Sequence, residues 1–157
     1  MLKYNKGRFE LDYLSFAIPD NMYLTTSNEV ELEDGLELFT EDWKVRITVA
    51  GNEIAESAIE SIESLFDEEL SHKKIGEITE LHKAGLDGCY VVYENDKLIH
   101  IEACLNTPNI EDCHTFMIWA RTEKKYGEEE VSRMMRLYTY ILDSIEVGEV
   151  TVTPSPI

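Results

Sequence analysis

The run His100-Ile101-Glu102-Ala103-Cys104, followed by Cys113-His114, brings together the residue types of this chain best suited to chemistry. In a strand, alternate side chains share a face. His100, Glu102 and Cys104 then point one way, and Ile99, Ile101, Ala103 and Leu105 the other. If the adjacent strand begins near Cys113, that thiol or the His114 ring comes across the loop towards Cys104. Imidazole and thiolate are good zinc ligands. The candidate metal set is therefore His100, Cys104, Cys113 and His114, and one functional reading is a small metal-dependent hydrolase using His100, Cys104 and His114. Two features oppose it. The spacing lacks the tight ligand loops of structural zinc sites, and buried cysteine commonly packs as a small hydrophobe. A Cys–His nucleophile pair would also need an orienting group and an oxyanion hole, for which the sequence gives no sign.

The same alternation groups a second set. With the strands in register, Lys44, Arg46, His100, Glu102, Met117, Trp119 and Arg121 share one sheet face, opposite the helix-covered side. Trp, Met and Arg are the types that anchor protein interfaces, which makes this face the candidate binding surface. The bland alternative is an ordinary face, or one covered by a helix, with Trp119 simply packed. Motifs for dinucleotides, nucleoside triphosphates, metalloprotease zinc, acyl-transfer serines and EF-hand calcium are all missing. The expectation is no cofactor and no catalytic residues.

The elements that must position these residues are legible as patterns. Tyr13 to Ile18 reads as a strand stopped by Pro19-Asp20-Asn21, and Asp34-Gly35 reads as a tight hairpin turn between Val30–Glu33 and Leu36–Phe39. Trp43, Val45, Ile47 and Val49 alternate on one face of the clearest strand. After Gly51-Asn52, the apolar positions Ile54, Ala58, Ile59, Ile62, Leu65, Phe66 and Leu70 follow a helical period, which predicts a helix over about 53–71 with an Asn cap. A long strand is expected from Ile75 to Leu86. Cys89–Glu94 and Lys97–Leu105 then form a hairpin across Asn95-Asp96, followed by a strand from His114 to Arg121. Glu128-Glu129-Glu130 opens a second helix, over about 128–146. Its apolar face is Val131, Met134, Met135, Tyr138, Ile141, Leu142 and Ile145, and Gly148 ends it. Thr151 to Ile157, with two prolines, reads as a frayed tail or a docked edge strand.

Short turns force antiparallel neighbours, and only two helices interrupt the strands. The expected fold is α+β, a single domain over 1–157 with a mostly antiparallel central sheet of about six to seven strands and two amphipathic helices. The 157 residues suffice for a core without staples.

The charge bounds the partners. Fourteen basic against 32 acidic residues leave a net −18. Such a surface repels phosphate backbones and anionic membrane leaflets, which argues against nucleic acid, and a basic protein partner is the electrostatically natural one. No stretch is apolar enough to span a bilayer, the N-terminus lacks the apolar run of a secretory signal, and three cysteines without a paired spacing suit a reducing compartment. The expected location is the cytoplasm, without membrane insertion.

The element order resembles the PsbP-like superfold, shared by the photosystem extrinsic subunit, a nuclear-import Ran-binding protein and many small bacterial proteins of unknown function. The likeness rests on Phe16-Ala17-Ile18-Pro19-Asp20-Asn21, Lys44 to Val49, Gly85-Leu86-Asp87-Gly88-Cys89-Tyr90 and Ile141-Leu142-Asp143-Ser144-Ile145. It implies a non-catalytic binding protein, since members include chaperones for bacterial type VI secretion effectors, and it carries over no functional residue. The leading expectation is thus a protein-binding or adaptor protein. The rivals are the metal-dependent hydrolase and a small-molecule or lipid binder with a pocket lined by Met134, Met135 and Tyr138.

Overall fold

Strong alternation at Val45, Ile47 and Val49 produces a strand whose inward face is fully buried. The sheet is built outward from this region. The structure, a computed structural model, describes residues 2–5, 7–11, 14–54, 56–67, 71–107 and 113–148. In chain order the elements are β1 (Leu2–Asn5), β2 (Arg8–Leu11), β3 (Leu14–Ala17), β4 (Met22–Leu24), β5 (Glu29–Val30), β6 (Leu36–Thr40) and β7 (Val45–Asn52). Then come α1 (Ala58–Glu63), β8 (Lys73–Lys74), β9 (Thr79–Lys83), β10 (Leu86–Glu94), β11 (Leu98–Asn106), β12 (Thr115–Glu123), α2 (Glu128–Asp143) and β13 (Glu146–Val147).

Every described strand pairing is antiparallel. The larger sheet has eight strands, ordered β4-β6-β7-β12-β11-β10-β8 with β9 also on β10, and a five-stranded sheet is ordered β13-β3-β2-β1-β5. The α+β class with a mostly antiparallel sheet therefore holds, but the strand count of six to seven falls short. The N-terminal segment alternates too weakly to show its two hairpin-linked strands, and these belong to the second sheet.

One face of the large sheet carries the main core. Leu36, Leu38, Val45, Ile47, Val49, Phe116 and Ile118 meet Phe9 and Phe16 of the small sheet and Met134, Tyr138 and Ile141 of α2. Three tilted rings, Phe9, Phe16 and Phe116, stitch the two sheets together. The 16 residues of α2 place Met134, Leu137, Tyr138, Ile141 and Leu142 on its buried stripe. Glu128, Glu129 and Glu130 occupy its first turn, where the helix dipole favours carboxylates.

Several expected boundaries move. The first helix is α1 alone, six residues, followed by a 3-10 turn at Ser64–Phe66. Asn52 instead accepts the Ile54 N–H through its side chain, a local turn that competes with helix initiation. The cap is Ser57, whose Oγ accepts from the Glu60 N–H and donates to the Glu60 carboxylate. Ile54 and Ile59 are exposed, so the longer helical stripe was a coincidence of spacing. Helix α2 ends at Asp143, and Glu146–Val147 leaves it as a strand on β3 before Gly148 is reached. Asp34-Gly35 makes a turn, closed by Asp34 and Gly35 N–H groups on the Glu31 carbonyl, but no hairpin, because β5 and β6 belong to different sheets. Of the expected strand from Ile75 to Leu86, only β9 (Thr79–Lys83) forms before β10 begins at Leu86, and the two-residue β8 precedes it. The positions 151–157 and 108–112 of the expected tail and loop lie outside the described residues.

Gly88 faces Leu105 in the β10–β11 ladder, and a Cβ there would come within 2.0 Å of the Cys104 carbonyl oxygen and 2.9 Å of Leu105 Cα. Backbone atoms in a central ladder cannot step aside. Gly88→Ala is expected to lower stability by about 3 kcal/mol or more, read as a fall in the urea midpoint. An alanine variant as stable as the parent would mean these strands do not pair in this register.

Candidate functional site

The ladder registers place three rows of side chains across one face. Tyr93, His100, Arg121, Arg46 and Phe39 lie opposite one another in the first. Val91, Glu102, Trp119, Thr48 and Glu37 form the second, and Cys89, Cys104, Met117 and Ala50 the third. The structure thus brings Arg46, His100, Glu102, Met117, Trp119 and Arg121 onto one face, with Lys44 just beyond the start of β7.

That face is not open throughout. Ala58 and Ile62 of α1, with Leu65 and Phe66 of the following turn, cover Cys89, Val91, Tyr93 and Cys104. Cover on both sides explains why β11 is buried along nearly its whole length, His100 and Glu102 included.

At the border of the covered half, aromatic and cationic groups stack across three strands. Tyr93 stacks on His100 at 4.6 Å and 7°, and His100 on Trp119 at 5.5 Å and 17°. The Arg121 guanidinium lies 3.8 Å above the Trp119 ring, a cation–π contact. Trp119 Nε1 donates to His100 Nδ1 at 2.9 Å. Asn95 Nδ2 faces the other ring nitrogen at 3.4 Å, and that amide is fixed because Asn95 Oδ1 accepts from the Lys97 and Leu98 N–H groups. With Nδ1 accepting from the indole, the single proton of the neutral ring sits on Nε2, and a second proton on Nδ1 would break the Trp119 contact. Burial, with smaller contributions from His72 and Arg46, pushes the His100 pKa down to about 4.

Glu102 has the reverse problem. It is 7% exposed and makes no hydrogen bond or ion pair among the described residues, and burial raises its pKa to about 7. Its carboxyl is held largely as the neutral acid below neutrality.

Beyond this border the face opens over β6 and β7. Here Glu37 is the shared carboxylate, 3.5 Å from Arg121 Nη2 and 3.8 Å from Arg46 Nε. Arg121 also donates to Thr48 Oγ1. Arg46 lies over the Phe39 ring, and its Nε is shut off from solvent without a hydrogen-bond partner.

The residue that most shapes this open half is Trp43, which the sequence pattern places on the buried face of a strand. It sits instead in the β6–β7 turn, 65% exposed, at φ +63°. The turn is fixed from several sides. Trp43 N–H donates to the Thr40 carbonyl, Thr40 Oγ1 donates to Asp42 Oδ1 and accepts from the Val45 N–H, and Asp42 Oδ1 also accepts from the Lys44 N–H. From α2, Arg133 Nη2 reaches both Asp42 oxygens, at 2.8 and 2.9 Å, and Glu130 flanks the same nitrogen at 2.8 Å. Hydrogen bonds from Arg133, then Thr40, hold the Asp42 carboxyl well below the usual carboxylate range. Trp43 packs on Phe39 at 4.6 Å between ring centroids and separates two clefts. One, about 310 Å³, runs from Phe39 and Trp43 to Tyr23 and Thr25, and the other, about 240 Å³, reaches Lys44, Arg46, Leu98 and Tyr126. The legible signal was Thr40-Glu41-Asp42 before the tryptophan, a turn-forming run at the mouth of a hairpin.

The proposed metal ligands do not converge. His100 is engaged by Trp119 and Tyr93, and Cys104 is sealed under α1 with its thiol pushed up to about 12, chiefly by burial. Cys113 is buried in the main core, accepting from Thr107 Oγ1 and donating to the Thr115 carbonyl, while His114 is exposed. Among the described residues no three His, Cys, Asp or Glu groups gather to hold a metal ion.

The Glu102 and His100 shifts have opposite consequences for stability. Above about 4.5 the unfolded chain releases the Glu102 proton that the fold retains, so stability falls as pH rises towards 7. Below about 6.5 the unfolded chain protonates His100 and the fold does not, so stability falls as pH drops towards 4. Glu102→Gln removes only the first effect. Relative to the parent it is expected to be near neutral at pH 4 and more stable by about 3 kcal/mol at pH 8, measured by urea unfolding across that range. A difference that does not vary with pH would show that the carboxyl ionises normally.

No protein-family model matches this chain, and no curated protein matches it in sequence. Among solved structures it is similar to a protein from Bacteroides thetaiotaomicron, at a TM-score of 0.43 and 12% identity, over 88% of this chain and 46% of that one. The chain thus spans about half the length of that neighbour. Among the described residues no helix is long and apolar enough to cross a membrane.

Proposed function

We propose that this is a non-catalytic docking domain that binds a protein partner through the clefts on either side of Trp43. The observation that carries this reading is the exposed indole at positive φ. A non-glycine residue there costs roughly 1–2 kcal/mol, and strain of this kind concentrates at functional positions. A large apolar ring held in water, in a turn tied to α2 by the Arg133–Asp42 contact, has the character of an interface anchor. Phe39 and Tyr23 extend the aromatic surface on the same side.

Two further points support the reading. The resemblance to the PsbP-like superfold implies binding rather than catalysis, and the buried Cys89, Cys104 and Cys113, without a paired spacing, fit the reducing cytoplasm expected for such a partner. The hydrolase reading gains nothing from residues that lie apart. The lipid-pocket reading meets a core in which Met134 and Tyr138 are packed.

The test separates docking from folding. Trp43→Gly is expected to leave the thermal midpoint unchanged or raise it, since glycine adopts this conformation freely. The same substitution is expected to abolish recovery of a discrete partner in parallel affinity captures with parent and variant. If no protein distinguishes the two baits, the docking reading fails.

A further inference from the structure

The cleft on the Lys44 side of Trp43 carries a charge pattern opposite to that of the molecule. The chain has a net charge of −18. Yet the three cations of this cleft, Lys44, Arg46 and Arg121, have one carboxylate within 4 Å, that of Glu37, already divided between the two arginines. No ion pair among the described residues involves Lys44. Its ammonium sits 5.3 Å from the centroid of the Tyr126 ring instead. Glu123, also on the wall, is paired with Lys125. In a chain with 32 acidic residues, this cleft sets three cations, Lys44, Arg46 and Arg121, against two carboxylates, Glu37 and Glu123, an excess of one positive charge.

Resting on the docking reading, we infer that the segment bound beside Trp43 is acidic, with a partner carboxylate seated between Lys44 and Arg46 and a neighbouring apolar side chain on Phe39 and Trp43. The volume of about 240 Å³ suits one or two side chains. A carboxylate there would supply a counter-charge for Lys44 and a second acceptor for the half-exposed Arg46 guanidinium, as charge-assisted hydrogen bonds. The surrounding negative field does not forbid this, because salt at physiological strength screens exposed charges beyond about 8 Å. This replaces the basic partner that net charge alone suggests with a locally complementary one.

Two blocked pentapeptides test the assignment at 0.15 M salt. One has a leucine between two glutamates and the other a leucine between two lysines. The two indole N–H resonances provide the readout, Trp43 as reporter and the hydrogen-bonded Trp119 as internal control of the fold. The glutamate peptide is expected to shift Trp43 and leave Trp119 in place, and the double substitution Lys44→Gln with Arg46→Gln is expected to weaken that binding at least about fivefold. Equal or larger Trp43 shifts with the lysine peptide would overturn the acidic assignment while leaving docking at Trp43 intact. No Trp43 shift with either peptide would also overturn it, and docking would then be judged by the Trp43→Gly capture alone.

Discussion

The large sheet has two faces to cover, and the first helical segment is too short to cover one of them. Helix α2 and the small sheet pack over the first face. On the other, α1 has six residues, about 9 Å of helix. The strands from β10 to β7 span roughly 14 Å at ordinary inter-strand spacing. The cover therefore reaches β10 and β11 and stops, leaving β7 and β6 with aromatic and cationic side chains towards solvent. The length of α1 follows from local competition, since Asn52 turns the chain before Ser57 can cap it.

The row of Tyr93, His100, Trp119 and Arg121 forms the boundary between the covered and open halves. Each member is suited to its depth. Tyr93 and His100 are dry and neutral, Trp119 is half-buried with its N–H satisfied by His100, and Arg121 turns its charge to Glu37 at the rim. The stack also explains why His100 is a poor ligand or base. Its one free lone pair, on Nδ1, is used by an indole N–H, which leaves the ring proton on Nε2. Chemistry would need those contacts broken, whereas docking at the rim needs them kept.

Strand identity and register were the legible part of the sequence. The alternation on β7, β11 and β12, with the Asn95-Asp96 turn, sufficed to group Arg46, His100, Glu102, Met117, Trp119 and Arg121 on a single face, because period two leaves no other choice. Helix length was not legible. Ile54 and Ile59 fit the helical period yet lie in water, since periodicity records where a helix could bury residues and says nothing of a side chain that terminates it. The small sheet was hidden because β1, β2 and β5 are two to four residues long and their pairing is set by tertiary contact. Trp43 was misplaced for a related reason. It continues the apolar alternation of Val45, Ile47 and Val49 by one step, and only the hydrogen bonds of Thr40 and Asp42 reveal that the strand has not yet begun.

Why tryptophan should occupy a position that favours glycine is a question of competing stabilities. Hairpin turns of this kind place a residue at positive φ so that the strands can twist together, and Gly or Asn meets that demand at least cost. Here the strain is offset by a set of contacts that a glycine turn would not need: Phe39 beneath the indole, Thr40 and Asp42 closing the loop, and Arg133 reaching from α2 to hold Asp42. None of these contacts buries the indole. They fix its position while leaving it wet, so the stability spent on the turn gains rigidity at an exposed surface and not core packing. A side chain held in this way loses little freedom when something settles on it, and a low ordering cost is what makes an anchor residue effective. On the docking reading proposed above, the strained turn is therefore the feature that prepares this surface for contact.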